Sequence, residues 1–113
     1  MRVYICGPIT GHEADADARF RKAAVDVLRI CGNETEFINP LIVGKAANYA
    51  ANLNHGDFMQ ISYTLMKLCD SIYMMDGWDQ SNGCRLEWLY AQILNLEVVN
   101  WTLTTENATS RRT

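Results

Sequence analysis

Glu87 stands six residues after Ser81 and four after Gly83, at the start of an apolar run with helical spacing. The stretch before it, Asp76-Gly77-Trp78-Asp79-Gln80-Ser81-Asn82-Gly83, is a polar turn in which Ser81 or Asn82 is a natural helix N-cap. A helix N-terminus with a free hydroxyl and a glycine predicts an anion site, because unpaired N–H groups and the macrodipole both favour negative charge. The same field predicts an ionised Glu87 on an exposed helix position. An ionised carboxylate beside a sugar is what glycosyl transfer requires, to stabilise an oxocarbenium-like transition state or to attack it. Standing alone, Glu87 reads more simply as a surface glutamate near a helix start.

A second group follows Val3-Tyr4-Ile5-Cys6. In Gly7-Pro8-Ile9-Thr10-Gly11 two glycines let backbone N–H groups approach a phosphate or a sugar closely. The loop is neither G-x-G-x-x-G nor a P-loop, and it serves equally as an ordinary strand-to-helix turn. The four cysteines, Cys6, Cys31, Cys69 and Cys84, form no C-x-x-C pair, and only His12 and His55 could join them around a metal. They read as free thiols in a reducing, cytoplasmic compartment, with no metal and no cofactor. Thiol or redox chemistry at Cys6 or Cys84 is disfavoured because neither a base nor a second cysteine lies at useful spacing in the sequence.

These residues need a frame to hold them. Val3 to Cys6 is a β-rich run stopped by Gly7-Pro8. Ala16, Phe20, Ala23, Ala24, Val27 and Leu28 recur at helical spacing, with Asp15 and Asp17 near the start and Gly32 past the end. Phe37-Ile38 gives a short strand halted at Asn39-Pro40. From Leu41 to His55 the pattern is weak, consistent with a short helix or a flap. Phe58, Ile61, Leu65 and Leu68 restore the helical period before a strand over Ser71-Ile72-Tyr73-Met74-Met75. Leu86, Leu89, Tyr90, Ile93 and Leu94 mark the last helix, and Val98-Val99-Asn100-Trp101 the last strand. The tail over 102–113 reads as an arm. Alternating strands and helices predict one α/β domain over 1–101, a doubly wound Rossmann- or flavodoxin-like parallel sheet of four to five strands with helices on both faces. In such sheets ligands sit outside the carboxyl ends of the strands, near the switch in strand order. That rule selects the loops after Cys6 and after Met75.

The 113 residues allow one domain and, at 49% apolar, a packed core without staples. A net charge of −3, with no basic run beyond Arg111-Arg112, argues against polymeric nucleic acid. The N-terminal apolar run is too short for a signal peptide, and no membrane segment is expected.

Tyr4-Ile5-Cys6-Gly7-Pro8-Ile9-Thr10-Gly11, then Asn39-Pro40, then Cys69-Asp70-Ser71-Ile72-Tyr73, then Gly77-Trp78 with Ser81-x-Gly83-x-x-x-Glu87, closely resemble the nucleoside 2-deoxyribosyltransferase superfamily. Within it the chain is most similar to small, often phage-encoded members that look like deoxynucleoside monophosphate N-glycosidases. The resemblance spans Arg2 to about Trp101. It implies that Glu87 is a nucleophile forming a covalent deoxyribosyl intermediate, with Tyr4 positioning its carboxylate; Asp76, by its place at the carboxyl end of the third strand, is the best acid near the leaving base. It also implies that Cys6, Gly7, Pro8, Ile9, Thr10, Gly11, Asn39, Ser81 and Gly83 line the nucleotide site. Trp78 would be a wall for the base, or packing alone. Relatives commonly complete each site from a neighbouring subunit, which implies at least a homodimer, with Thr109 or Ser110 placed to reach a neighbour. The chain departs from the pattern twice. The usual aspartate in the helix before the third strand falls on Ser62, unless Asp57 serves in a shifted register, and Thr10 replaces a basic residue common in the first loop of the hydrolases. Hydrolysis, deoxyribosyl transfer and nucleotide binding without turnover all remain open at this point, with a nucleoside or nucleotide as ligand in each.

Overall fold

The computed structural model describes residues 1–9, 12, 14–41 and 54–101. Among these, strands β1 (Arg2–Cys6), β2 (Glu36–Ile38), β3 (Ser71–Met74) and β4 (Glu97–Val98) alternate with helices α1 (Ala16–Cys31), α2 (His55–Met66) and α3 (Asn82–Ile93). All pairings are parallel and the sheet order is β2-β1-β3-β4. The chain winds outward from β1 to β2, then returns to the other side of β1 for β3 and β4. The crevice at the carboxyl ends of β1 and β3 is therefore the switch point of a doubly wound sheet, as the alternation of elements predicts.

Successive residues of a strand face opposite sides, and β1 uses both. Val3 and Ile5 pack with Phe20, Ala23 and Val27 of α1, together with Leu41, Met75 and Val99. Tyr4 and Cys6 pack on the other side with Met66, Ile72, Met74, Cys84, Ala91 and Val98. Every one of these four β1 side chains is fully buried, worth about 1.5–3 kcal/mol for a large apolar side chain removed from water.

The helix ends follow local chemistry. Gly32, at φ +104°, closes α1, and its N–H donates to the Leu28 carbonyl at 2.8 Å; a positive φ of this kind favours glycine. Asn54 and Asp57 form a reciprocal capping box at the start of α2, each side chain accepting from the other's N–H at 2.9 Å. The helix thus begins at His55, ahead of the apolar period that starts at Phe58. Ser81 caps α3 by accepting from the Cys84 N–H at 3.3 Å. Asp70 lies at the opposite end of the sheet from the switch point, where its carboxylate accepts from the Arg2 N–H and the Ser71 hydroxyl.

Two strands end earlier than the sequence suggests, β3 by one residue at Met74 and the last strand by more. The last strand stops at Val98, and Val99–Trp101 form a 3-10 turn. The reason lies in Asn100, whose side-chain amide accepts from the Met74 N–H at 3.1 Å and donates to the Met74 carbonyl at 2.7 Å. It completes the β3 ladder without further strand. Thr10, Gly11, most of the weak segment 41–56, and the whole arm over 102–113 with Thr109 and Ser110 lie outside the described residues.

Candidate active site

Glu87 occupies the second turn of α3, and its side chain turns inward rather than to solvent. It is 7% exposed. One carboxylate oxygen, Oε2, accepts a hydrogen bond from the Tyr4 hydroxyl at 2.5 Å, and the Cys6 thiol donates to the other, Oε1, at 3.3 Å. Ser62, on the inner face of α2 and 8% exposed, stands within hydrogen-bonding reach of both Glu87 and Tyr4. Three elements therefore meet on one carboxylate: the middle and end of β1, α2 and α3.

This overturns the expectation of an exposed Glu87 kept ionised by the helix field. Burial pushes its carboxyl above the ordinary value, and the hydrogen bonds from Tyr4, Cys6 and Ser62 offset only part of the rise. The macrodipole acts mainly over the first turn of a helix, and Glu87 is beyond it. Desolvation wins. The Tyr4 hydroxyl is pushed well above its ordinary value by burial and by the neighbouring carboxylate, so it remains a neutral donor. The hydrogen bond with Cys84 raises the Cys6 thiol, as do burial and Glu87, and the same bond lowers Cys84.

Cys84, set aside for thiol chemistry on sequence spacing, lies three residues before Glu87 and hence on the same helix face. The Cys6 and Cys84 sulfurs and a Glu87 oxygen all fall within 4.8 Å of one another. Spacing along the chain had separated the two thiols; the fold joins them and supplies a carboxylate beside them. Arg19 is a second addition. Its guanidinium donates at 3.4 Å to the carbonyls of Pro8 and Asp76, tying together the loops after β1 and β3. Its charge also acts on Cys84. A basic residue in the first turns of a helix opposes the macrodipole, and that was the signal available in the sequence.

The remaining predicted residues divide. Pro8 meets Gly77, whose φ of +87° starts the turn at Trp78–Gln80, so the two loops touch at the switch point. Gly7 is buried beneath Met75, and a Cβ placed there would lie 2.2 Å from the Met75 sulfur. Its missing side chain admits Met75. Ile9 is half-buried against the α1 side of the core. Ser81 is half-buried and caps α3 as its type predicts, so its oxygen is engaged rather than free, and Gly83 lies in the first turn of α3. Asp76 is exposed at the carboxyl end of β3. Asn39 turns back on its own chain and accepts from the Leu41 N–H at 3.0 Å. Trp78 stacks loosely with Trp88 and Trp101, ring centroids 5.7 and 6.0 Å away, and is half-buried. Asp57 is held in the α2 cap, whereas Ser62 faces Glu87.

Among the described residues no helix is long and apolar enough to cross a membrane. Comparison with the curated proteins gives no match. Comparison with the solved structures gives none either. The family described as "Domain of unknown function (DUF4406)" matches residues 1–100, and the chain belongs to it.

Proposed function

We propose that this DUF4406 domain is an N-glycosidase that cleaves the base–sugar bond of a nucleoside 5′-monophosphate, with Glu87 as nucleophile. One observation carries the reading: a carboxylate at the switch point of a doubly wound sheet is buried and gripped on both oxygens by Tyr4 and Cys6. A surface glutamate has no need of such donors, and burying one costs stability. The resemblance to deoxyribosyltransferases, drawn from the same residues, supplies the substrate class.

In this reading a Glu87 oxygen attacks C1′ of the sugar as the bond from C1′ to the base nitrogen breaks, and the base leaves with a proton from Asp76 or from water. Water then attacks C1′ of the glycosyl ester, its proton passing to solvent or to the acid, and the carboxylate is freed. Fixing the nucleophile before the substrate arrives lowers the cost of reaching the reactive geometry. Cys6 acts here on the carboxylate rather than on the nucleotide. The raised carboxyl requires that pH exceed its apparent value before attack is possible, so base release rises with pH through a point above the ordinary glutamate range of about 4.3.

Deoxyribosyl transfer to a second base is the same chemistry with another acceptor. Nucleotide binding without turnover is favoured by one observation, the hydroxyl of Ser62 where a carboxylate would complete an acid–base pair. Incubating the protein with a panel of nucleosides and monophosphates, and assaying free base with and without an acceptor base, separates the three. Free base from wild type and none from Glu87→Gln supports the glycosidase; retained ligand with no base released from any substrate removes it. The proposal includes a cytoplasmic setting, supported by four free cysteines, and at least a dimer, supported by Leu89 and Ile93 at 56% and 68% exposure on α3. Light scattering that shows only monomer at micromolar concentration would remove the dimer.

A further inference from the structure

We propose that Cys6, Cys84 and Glu87 form a binding site for one thiophilic divalent cation, Zn2+ by its coordination chemistry, on the carboxylate assigned to glycosyl transfer. The existence of the site stands apart from the glycosidase reading; only its consequence, that the ion blocks base release, rests on that reading.

The argument begins with the ligand atoms. Two sulfurs and one carboxylate oxygen, all from buried residues, lie within 4.8 Å of one another. In a tetrahedral zinc site, bonds of about 2.3 Å to sulfur and about 2.1 Å to oxygen set ligand-to-ligand edges of about 3.8 Å between sulfurs and about 3.6 Å between sulfur and oxygen. The observed 3.3 Å between the Cys6 sulfur and Glu87 Oε1 is close to the second figure. The side chains come from rigid elements, the last residue of β1 and two positions one turn apart on α3. The other separations, at most 4.8 Å, have to close by up to about 1 Å to meet these edges, which side-chain rotation on a fixed backbone supplies.

The donor set selects the class of ion. Two thiolates with one carboxylate suit zinc and its softer analogues, and suit magnesium or calcium poorly. On binding, the two S–H bonds break, two sulfur–metal bonds form, and the protons leave to solvent. Tyr4 keeps its hydrogen bond to Oε2 and holds the carboxylate in place, as partners of metal ligands generally do. The three ligands carry more negative charge than the ion neutralises, and Arg19, whose charge already acts on Cys84, offsets part of the excess. A fourth position is left for water. A carboxylate bound to metal cannot at the same moment attack C1′, so ion and glycosyl transfer exclude each other.

The test titrates reduced, metal-free, full-length protein with Cd2+ and follows thiolate-to-metal charge-transfer absorption, with Zn2+ affinity read by competition against a chromogenic chelator. One ion per chain is expected, with the absorption of two thiolates. Cys84→Ser should abolish the two-thiolate signal, and Glu87→Gln should weaken zinc by at least about tenfold, since even an indirect partner of a ligand is worth 10–100-fold. The Cys31→Ser/Cys69→Ser double variant should bind as wild type does. Circular dichroism of each variant guards against loss of fold, and Glu87→Gln carries the decision should a cysteine variant unfold. The site is overturned if no stoichiometric absorption appears, if it follows Cys31 and Cys69 instead, or if Glu87→Gln binds zinc unchanged. In the assay of base release, zinc should inhibit over the range in which it displaces the chelator. Binding without inhibition overturns the blocking role, whereas binding in a protein that releases no base leaves the site standing and removes the glycosidase.

Discussion

The two faces of the sheet share their strands and differ in what they bury. Under α1 Val3, Ile5, Phe20, Val27, Leu41, Met75 and Val99 meet, and the polar groups of this face sit at its margins, where the Tyr73 hydroxyl donates to Asp26 and the Ser71 hydroxyl to Asp70. Under α2 and α3 a comparable apolar ring, Met66, Ile72, Met74 and Ala91, surrounds Tyr4, Cys6, Ser62, Cys84 and Glu87. A single strand supplies both, Val3 and Ile5 to one side, Tyr4 and Cys6 to the other. The lesson is a division of labour along a two-residue period. The α1 face stabilises the fold chiefly through buried apolar area, and that surplus lets the opposite face hold a desolvated carboxylate.

The sharpest way to break this comparison is at Glu87. Glu87→Gln should lower base release by several powers of ten, as removal of a covalent nucleophile does, while making the protein more stable at pH 8. Because burial raises the carboxyl above its unfolded value, the stability it lends is complete below about pH 4.3 and lost as pH rises through the raised folded value. The glutamine variant does not ionise, so its advantage should shrink toward acid. Thermal unfolding at several pH values, with chelator present, checks this; a variant less stable than wild type at pH 8 would refute it. Phe20→Ala should do the reverse, costing about 3–5 kcal/mol by denaturant unfolding and leaving the rate per folded molecule within about twofold. Tyr4→Phe removes one hydrogen bond to a charged group, worth about 1.5–3 kcal/mol, and should slow base release about 10–100-fold while moving its rise to higher pH. Ser62→Asp should speed base release and split the pH profile in two, since adjacent carboxylates titrate apart; a slower enzyme would mean that serine is the fitted residue here. Asp57→Ala should change only the cap, costing about 0.5–1 kcal/mol with the rate unaltered.

Much of the frame was legible because it rests on local rules. Apolar period located the helices, Gly32 and Ser81 marked real ends, and the alternation of elements implied a parallel doubly wound sheet. Ser62, singled out by its place in the helix before β3, faces Glu87 in the structure, since α2 is continuous and its inner face is set by period. What sequence could not supply was direction and depth. Position in a helix does not tell which way a glutamate points, so Glu87 read as exposed. Residue type located the Ser81 cap, but it did not show that the Asn39 side chain accepts from the Leu41 N–H of its own chain. Gly7 reads as room for a ligand, whereas the room is filled by Met75, 68 positions later and just past β3. Arg19 was missed, and Cys84 was set aside, because Pro8 and Asp76 in the one case and Cys6 in the other are remote in the chain.

The amide of Asn100 has a consequence for how copies of this chain behave at high concentration. Beyond Val98 the edge of β3 would present the N–H and carbonyl of Met74 as a template on which another molecule's strand could grow. Asn100 occupies both groups with a side chain that offers no backbone edge of its own. Growth of the sheet in that direction is terminated there, so the amide works as a stopper against fibrous accretion. Asn100→Leu would reopen the edge to strand addition just before the loop that carries Asp76.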